Sequence, residues 1–156
     1  MIKIKNIIII ISIILISSIL IYGCNKNNNY KIKIDNELYN NYDYESLSND
    51  KLETLISDKH SFILYTYNPY CPFKIPCETI FKSVLKDLNI KLYNIAFEDL
   101  KKTSLNDKIS YAPSVIIFDK GKIKSYLDAE SDDDLNKYQD INEFEEWMNN
   151  YVYFSR

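Results

Sequence analysis

Two cysteines, Cys71 and Cys77, have the residue type and spacing for chemistry. A thiolate attacks a disulfide to form a mixed disulfide, which a second cysteine can then release. In an unbroken helix, residues six apart stand about 9 Å apart along the axis, whereas a disulfide needs Cα atoms within about 7 Å. Pro72 and Pro76 argue against such a helix, because an interior proline removes a hydrogen bond and clashes one turn back. We therefore predict an enlarged loop from Cys71 that closes onto a helix starting at Pro76, with both sulfurs within bonding reach.

Three interpretations of this cysteine pair are open. In the first, the pair is redox-active, because Cys77 at a helix N-terminus and the positive charge of Lys74 would favour a thiolate. In the second, the pair is a structural disulfide, whose seven-residue ring would contribute roughly 2–3 kcal/mol. In the third, the two thiols stay separate or belong to a metal site. His60 is the single histidine and is predicted to be a turn residue outside the loop, so we assign no metal and no cofactor.

The elements that must position this loop follow from the hydrophobic pattern. Residues 61–67 form an uncharged run of β-branched and aromatic residues, which predicts a central strand covered on both faces. An apolar stripe then predicts a helix from about Pro76 to Leu88. The other predicted elements are a short strand over 30–34, a loop over 39–44, a helix from Ser48 or Asn49 to about Asp58, strands over 90–95 and 114–118, a short helix over 97–103, a hairpin through Gly121 into 122–127, and a final helix over 142–152.

With these elements in order, the chain resembles the thioredoxin family over about Leu52 to Tyr151. The resemblance lies in the central strand that enters the loop Tyr67-Asn-Pro-Tyr-Cys-Pro72, in the loop Tyr111-Ala112-Pro113 before the next buried strand, and in the hairpin and helix at the end. Residues 111–128 and 144–148 are similar in particular to the bacteriocin-transport-accessory branch of exported thioredoxin-like proteins. The resemblance implies an α/β thioredoxin-like fold, with a central mixed sheet of about four or five strands flanked by helices.

The resemblance also implies roles for individual residues. The proline at the Pro113 position is cis in that family and faces the active cysteines, where it holds a substrate chain against the sulfur. Pro113, Ala112 and Tyr70 are therefore the expected substrate-binding residues. Cys71 has the position of the nucleophile and Cys77 that of the resolving cysteine, although the roles could be reversed because Cys77 is the one near the helix N-terminus.

Two departures from the family pattern bear on activity. The family motif separates its cysteines by two residues, whereas here the fourth position is Lys74 and the second cysteine comes later, at Cys77. Many members also carry a buried acid on the central strand, six positions before the first cysteine, where this chain has Tyr65. A tyrosine with an ordinary pKa near 10 is a poor base at neutral pH, which argues against efficient turnover.

The first 23 residues predict an exported, lipid-anchored protein. Two lysines precede 16 uncharged residues, as in a signal peptide. The ending Ile21-Tyr22-Gly23-Cys24 resembles a bacterial lipobox, apart from the large Tyr22, and implies a diacylglyceryl thioether on Cys24. The alternative is an uncleaved membrane helix, which would also place the rest of the chain outside the cytoplasm. We divide the chain into a signal peptide (1–23), a tether (24–30) and a thioredoxin-like domain (31–156).

The charge limits the partners. The chain has 19 basic and 22 acidic residues, and removal of the signal peptide takes away two lysines and no acid, so no basic surface exists for nucleic acid. We therefore predict a membrane-anchored thiol-disulfide oxidoreductase whose partners are protein thiols or disulfides. The alternative is a noncatalytic accessory protein of an exporter, in which a structural Cys71–Cys77 disulfide braces the loop.

Overall fold

A mixed five-stranded sheet forms the centre of the structure, a computed structural model that describes residues 30–68 and 76–154. Its strands are β1 (Tyr44–Ser46), β2 (Ile63–Tyr67), β3 (Leu92–Ala96), β4 (Ser114–Asp119) and β5 (Lys122–Tyr126), in the spatial order β1-β3-β2-β4-β5. The pairs β1–β3 and β2–β3 are parallel, whereas β2–β4 and β4–β5 are antiparallel. The predicted mixed sheet and its central strand are thus confirmed.

Four α-helices accompany the sheet in the described part of the chain: α1 (Asn49–Ser57), α2 (Cys77–Asp87), α3 (Phe97–Leu100) and α4 (Ile141–Tyr151). The Ser48 side chain caps α1 by accepting a hydrogen bond from the backbone N–H of Lys51, and Asp140 caps α4 in the same way. Two short 3-10 helices cover Asn36–Leu38 and Leu135–Tyr138. Each predicted helix is therefore present, with bounds that differ by a few residues.

The helices α2 and α4 pack together over the central strand β2. Phe81 of α2 is fully buried, with its ring centroid 5.4 Å from that of Tyr65 on β2 and 4.6 Å from that of Phe144 on α4. Because β2 lies at the middle of the sheet, its residues Ile63 and Leu64 have no exposed surface. The strand and the first turn of α2 are thus held in one continuous core.

The β4–β5 turn has the geometry that its sequence predicts. Lys120 and Gly121 have φ angles of 50° and 73°, both in the left-handed region that a two-residue hairpin turn of this kind requires. A Cβ atom on Gly121 would lie 2.1 Å from the backbone oxygen of Ile56 in α1. Glycine is therefore needed here both for the turn and for the close approach of α1.

One prediction near the N-terminus is wrong. Residues 30–34 do not form a strand of the sheet, because Ile32 makes only an isolated bridge to Val152, which follows α4. The predicted loop over 39–44 is confirmed up to residue 43, and Tyr39 and Tyr42 pack against the core. Its last residue, Tyr44, begins the edge strand β1, whose backbone pairs with β3. The predicted signal peptide and Cys24, the predicted site of the lipid, lie outside the described residues. No helix in the described ranges has the length and apolar character needed to cross a bilayer.

Candidate thiol site

Cys77 is the first residue of α2, and its sulfur lies beside the hydroxyl group of Tyr65 on the central strand. Its side chain is 1% exposed, and the preceding residue, Pro76, offers no side-chain acceptor to the first turn of the helix. The unsatisfied N–H groups and the positive end of the helix dipole favour a negative charge at such a position. Pro76 is the N-cap rather than the first helical residue that we predicted, which moves the start of the helix to the cysteine itself.

The hydroxyl group of Tyr65 on β2 lies beside this sulfur. Its oxygen is 3.9 Å from the Sγ atom of Cys77, and the Tyr65 side chain is 3% exposed. Burial, followed by the Coulombic interaction and the hydrogen bond with Cys77, raises the pKa of Tyr65 well above the ordinary value. The phenol therefore keeps its proton at neutral pH and can donate it in a hydrogen bond to the sulfur, but it cannot act as a base.

The first turn of α2 also carries a carboxylate, that of Glu78, which acts electrostatically on Tyr65. The Glu78 carboxylate is 2.7 Å from the Nζ atom of Lys82, one turn later, and this Nζ atom lies 3.6 Å from the ring centroid of Tyr44. Burial, and then a hydrogen bond to Glu78, raise the pKa of Tyr44. The ion pair between Glu78 and Lys82 could be predicted from their spacing of four residues in a helix. The contact of Lys82 with Tyr44 could not, because it depends on the pairing of β1 with β3.

Pro113 lies beside the C-terminal end of β2. The residue after it, Ser114, pairs with Thr66 of β2, so Pro113 stands beside the last residue of the strand that leads toward the cysteines. The Ala112–Pro113 peptide bond is cis, which is the geometry that the resemblance implied. Pro113 is buried and Ala112 is half-buried. The other predicted site residues, Cys71 and Tyr70, lie outside the described residues.

The loop with Pro113 has a partner that sequence reasoning missed. The hydroxyl of Tyr138 donates a hydrogen bond of 2.8 Å to the Pro113 carbonyl, and the Tyr138 ring packs edge-on against Phe81 at 5.7 Å. Twenty-five residues separate the two partners, so no local pattern could have indicated the contact.

Comparisons with known proteins agree with this architecture. No model of a protein family and no curated sequence matches the chain. Among solved structures, a mutant thioredoxin from Halobacterium salinarum NRC-1 is similar, with a TM-score of 0.50 and 12% identity over 75% of this chain and 96% of that one. The reduced thioredoxin pre-protein from Schistosoma mansoni also has a TM-score of 0.50, with 18% identity over 70% of this chain and 99% of that one. The chain has a thioredoxin-like fold.

The thioredoxin-like fold confirms the predicted fold class, and at these identities the likeness extends to the fold alone. Membership of the bacteriocin-transport-accessory branch stays a prediction. Within this fold, the described residues place Cys77 beside Tyr65 of β2 and the Pro113 loop beside the end of the same strand.

The single histidine lies at the opposite end of β2. The Nδ1 atom of His60 contacts an Asp35 carboxylate oxygen, and the other oxygen of Asp35 accepts a hydrogen bond of 3.1 Å from the Ser61 backbone. Glu37 adds a third donor atom, and the three donor atoms lie within 4.8 Å of one another. Asp35 thus links the N-terminal segment to the start of β2 through its contacts with His60 and Ser61. His60 directly follows a turn at Lys59, which has a φ of 63°.

Proposed function

We propose that this protein is a thiol-disulfide oxidoreductase that acts on protein thiols through Cys71 and Cys77. The observation that carries the proposal is the buried Cys77 at the first position of α2, with the Tyr65 hydroxyl 3.9 Å from its sulfur. A helix N-terminus and a neighbouring hydrogen-bond donor are features that favour a reactive thiolate. Pro113 immediately precedes the adjacent strand β4, and we propose that it holds a substrate backbone there, as the resemblance to thioredoxins implies.

The burial of Cys77 supports a division of roles. In the reductive direction, the Cys71 thiolate attacks a substrate disulfide and forms a mixed disulfide, while the other substrate sulfur leaves and takes up a proton. The Cys77 thiolate then attacks the Cys71 sulfur, so that the second substrate sulfur leaves and a Cys71–Cys77 disulfide forms. Two electrons pass to the substrate, and the reverse sequence oxidises a substrate dithiol. Because the Cys77 side chain is only 1% exposed, a substrate protein does not reach its sulfur directly. Its sulfur is suited to attack Cys71 from within the protein.

We further propose that the protein works outside the cytoplasm, anchored through a lipid on Cys24. The support is the sequence Ile21-Tyr22-Gly23-Cys24 after an uncharged apolar run. Two acyl chains anchor a protein stably where one chain is marginal. In such a compartment, disulfides form and persist, so a dithiol protein would find oxidised substrates there.

The redox properties of the cysteine pair test the oxidoreductase proposal. For an active pair, we expect a reduction potential above about −300 mV and a thiol whose pKa lies below about 8.5. The Cys77→Ser variant should accumulate mixed disulfides with its substrate proteins, whereas the matched Cys71→Ser variant should not. A potential well below about −300 mV, with ordinary alkylation of both thiols and no trapped substrate, would contradict the proposal.

The second candidate is a noncatalytic accessory protein of an exporter, in which the disulfide only braces the loop. What favours this candidate is that Tyr65 cannot accept a proton, since its pKa is raised, whereas the resemblance to thioredoxins implies a carboxylate at this position to assist proton transfer. Substrate trapping separates the two candidates, since a bracing disulfide forms no mixed disulfide with another protein.

A further inference from the structure

We propose that Tyr65 is a positioning residue for Cys77: its hydroxyl donates a hydrogen bond that stabilises the Cys77 thiolate during release of the mixed disulfide. This inference rests on the proposed oxidoreductase function and adds a residue to that site. In this role the phenol acts only as a hydrogen-bond donor and takes up no proton.

The geometry keeps the Tyr65 hydroxyl near the sulfur. Tyr65 is the middle residue of β2, and its backbone pairs with Asn94 of β3 on one side and with Val115 of β4 on the other. The Tyr65 ring packs edge-on against Phe81 of α2, the same helix that Cys77 begins. Because strand and helix both fix the ring, the oxygen-to-sulfur distance of 3.9 Å follows from core packing and not from a mobile side chain.

A hydrogen bond from Tyr65 offsets part of the cost of burying a Cys77 thiolate. Burial disfavours the charged form of a thiol and raises its pKa, and the Cys77 side chain is 1% exposed. The helix N-terminus offsets part of this penalty, and a hydrogen bond from Tyr65 to the thiolate offsets more. The interaction is reciprocal: the hydroxyl of Tyr65 lies 3.9 Å from the Cys77 sulfur, and a protonated phenol that donates to this sulfur favours its thiolate form.

The proton of Tyr65 stays on its oxygen throughout the reaction. The Cys77 thiol gives its proton to solvent, the resulting thiolate attacks the Cys71 sulfur, and the bond from Cys71 to the substrate sulfur breaks. The departing substrate sulfur carries the electron pair and takes up a proton. The titratable neighbours of Tyr65 in the described structure include Glu78 of α2 and Tyr44 of β1, and Tyr67, whose ring centroid lies 6.2 Å from that of Tyr65. A pH profile must therefore be compared between variants that retain all three.

Tyr65→Phe tests this role in the mature full-length protein, because it removes only the hydroxyl. In a Cys71→Ser background, thiolate absorbance in the ultraviolet reports the ionisation of Cys77 after subtraction of the matching Cys71→Ser, Cys77→Ser protein. We expect the thiolate fraction at neutral pH to fall roughly fivefold. With Cys71 restored, decay of the mixed disulfide formed with glutathione disulfide should slow by a similar factor. Tyr93→Phe is the matched control, because it removes the hydroxyl of a buried tyrosine on β3 that packs against Phe62 instead.

The outcomes separate this inference from the proposed function. If the wild-type protein exchanges disulfides while Tyr65→Phe retains both the Cys77 titration and the decay rate, the Tyr65 role is wrong and the oxidoreductase function stands. If the wild-type protein forms no mixed disulfide, the function is wrong, and the titration of Cys77 alone decides whether Tyr65 stabilises its thiolate. An equal effect of Tyr93→Phe would show a general loss of packing and would also overturn the Tyr65 role.

Discussion

Tyr138 and Pro113, which are 25 residues apart, are joined by a hydrogen bond of 2.8 Å from the Tyr138 hydroxyl to the Pro113 carbonyl. Tyr138 has no exposed surface, and its ring packs against Phe81 of α2. Phe81 also contacts Tyr65, whose hydroxyl lies beside the Cys77 sulfur. A continuous set of side chains thus connects the loop before β4 with the thiol at the start of α2.

Removal of the Tyr138 hydroxyl should destabilise the protein without changing its fold. Tyr138→Phe leaves the buried Pro113 carbonyl without this donor, which costs about 1–3 kcal/mol. Urea unfolding should show the loss as a lower midpoint with an unchanged slope. The control is Tyr153→Phe, at a side chain that is 57% exposed, and an equal midpoint for the two variants would contradict the prediction.

The turn between β4 and β5 should respond differently to two neighbouring substitutions. Gly121→Ala places a Cβ atom 2.1 Å from the Ile56 oxygen at a φ of 73°, so we expect a loss of at least about 2 kcal/mol in the free energy of unfolding. Lys120→Gly places a glycine, which adopts a positive φ without steric cost, at a position where φ is 50°. We expect this variant to have an unchanged or slightly higher stability. Thermal unfolding of both variants measures the difference, and a Gly121→Ala protein as stable as wild type would overturn this account.

The elements with strong hydrophobic patterns could be predicted from the sequence. The uncharged run over 61–67 predicted β2 because a strand covered on both faces needs no polar alternation. The apolar stripe after Pro76 predicted α2, and Gly121 predicted the hairpin turn. In each case the pattern is local, and the structure confirms it.

The missed features depend on contacts between distant segments. The strand β1 has three residues, too few for a periodic pattern, and it is a strand because β3 lies beside it. The alternating residues 30–34 resembled a strand, but only Ile32 finds a bridge partner. Tyr65 was identified as a substitute for an acid, whereas its contact with Cys77 depends on the packing of α2 against β2, which the sequence does not encode locally.

The buried tyrosines should make the protein sensitive to alkali. Burial, the Coulombic interaction with Cys77 and the hydrogen bond to it raise the pKa of Tyr65, so the unfolded chain loses this proton at a lower pH than the folded chain. Stability from Tyr65 is therefore complete below about pH 10 and is lost as the pH rises above it. Between about pH 9 and pH 11, Tyr65→Phe should lose about 1.4 kcal/mol less stability than wild type, as measured by urea unfolding at each pH. Tyr126→Phe controls for the loss of a surface phenol, and parallel pH profiles for all three proteins would refute the prediction.

The lipid anchor can be distinguished from an uncleaved membrane helix by a single substitution. If a lipobox ends at Cys24, Cys24→Ser removes the sulfur that carries the diacylglyceryl group, and the variant should take up no radioactive palmitate in its native cells. If cleavage is also blocked, the apolar run stays on the chain, so the size of the product must be measured together with its membrane association. We expect the wild-type protein to be labelled and shortened by the signal peptide, and Cys71→Ser, the matched control, to behave identically. Wild-type protein that is unlabelled and retains its full length would instead identify residues 1–23 as an uncleaved membrane segment, because 16 uncharged residues fall only slightly short of the roughly 20 needed to span a bilayer.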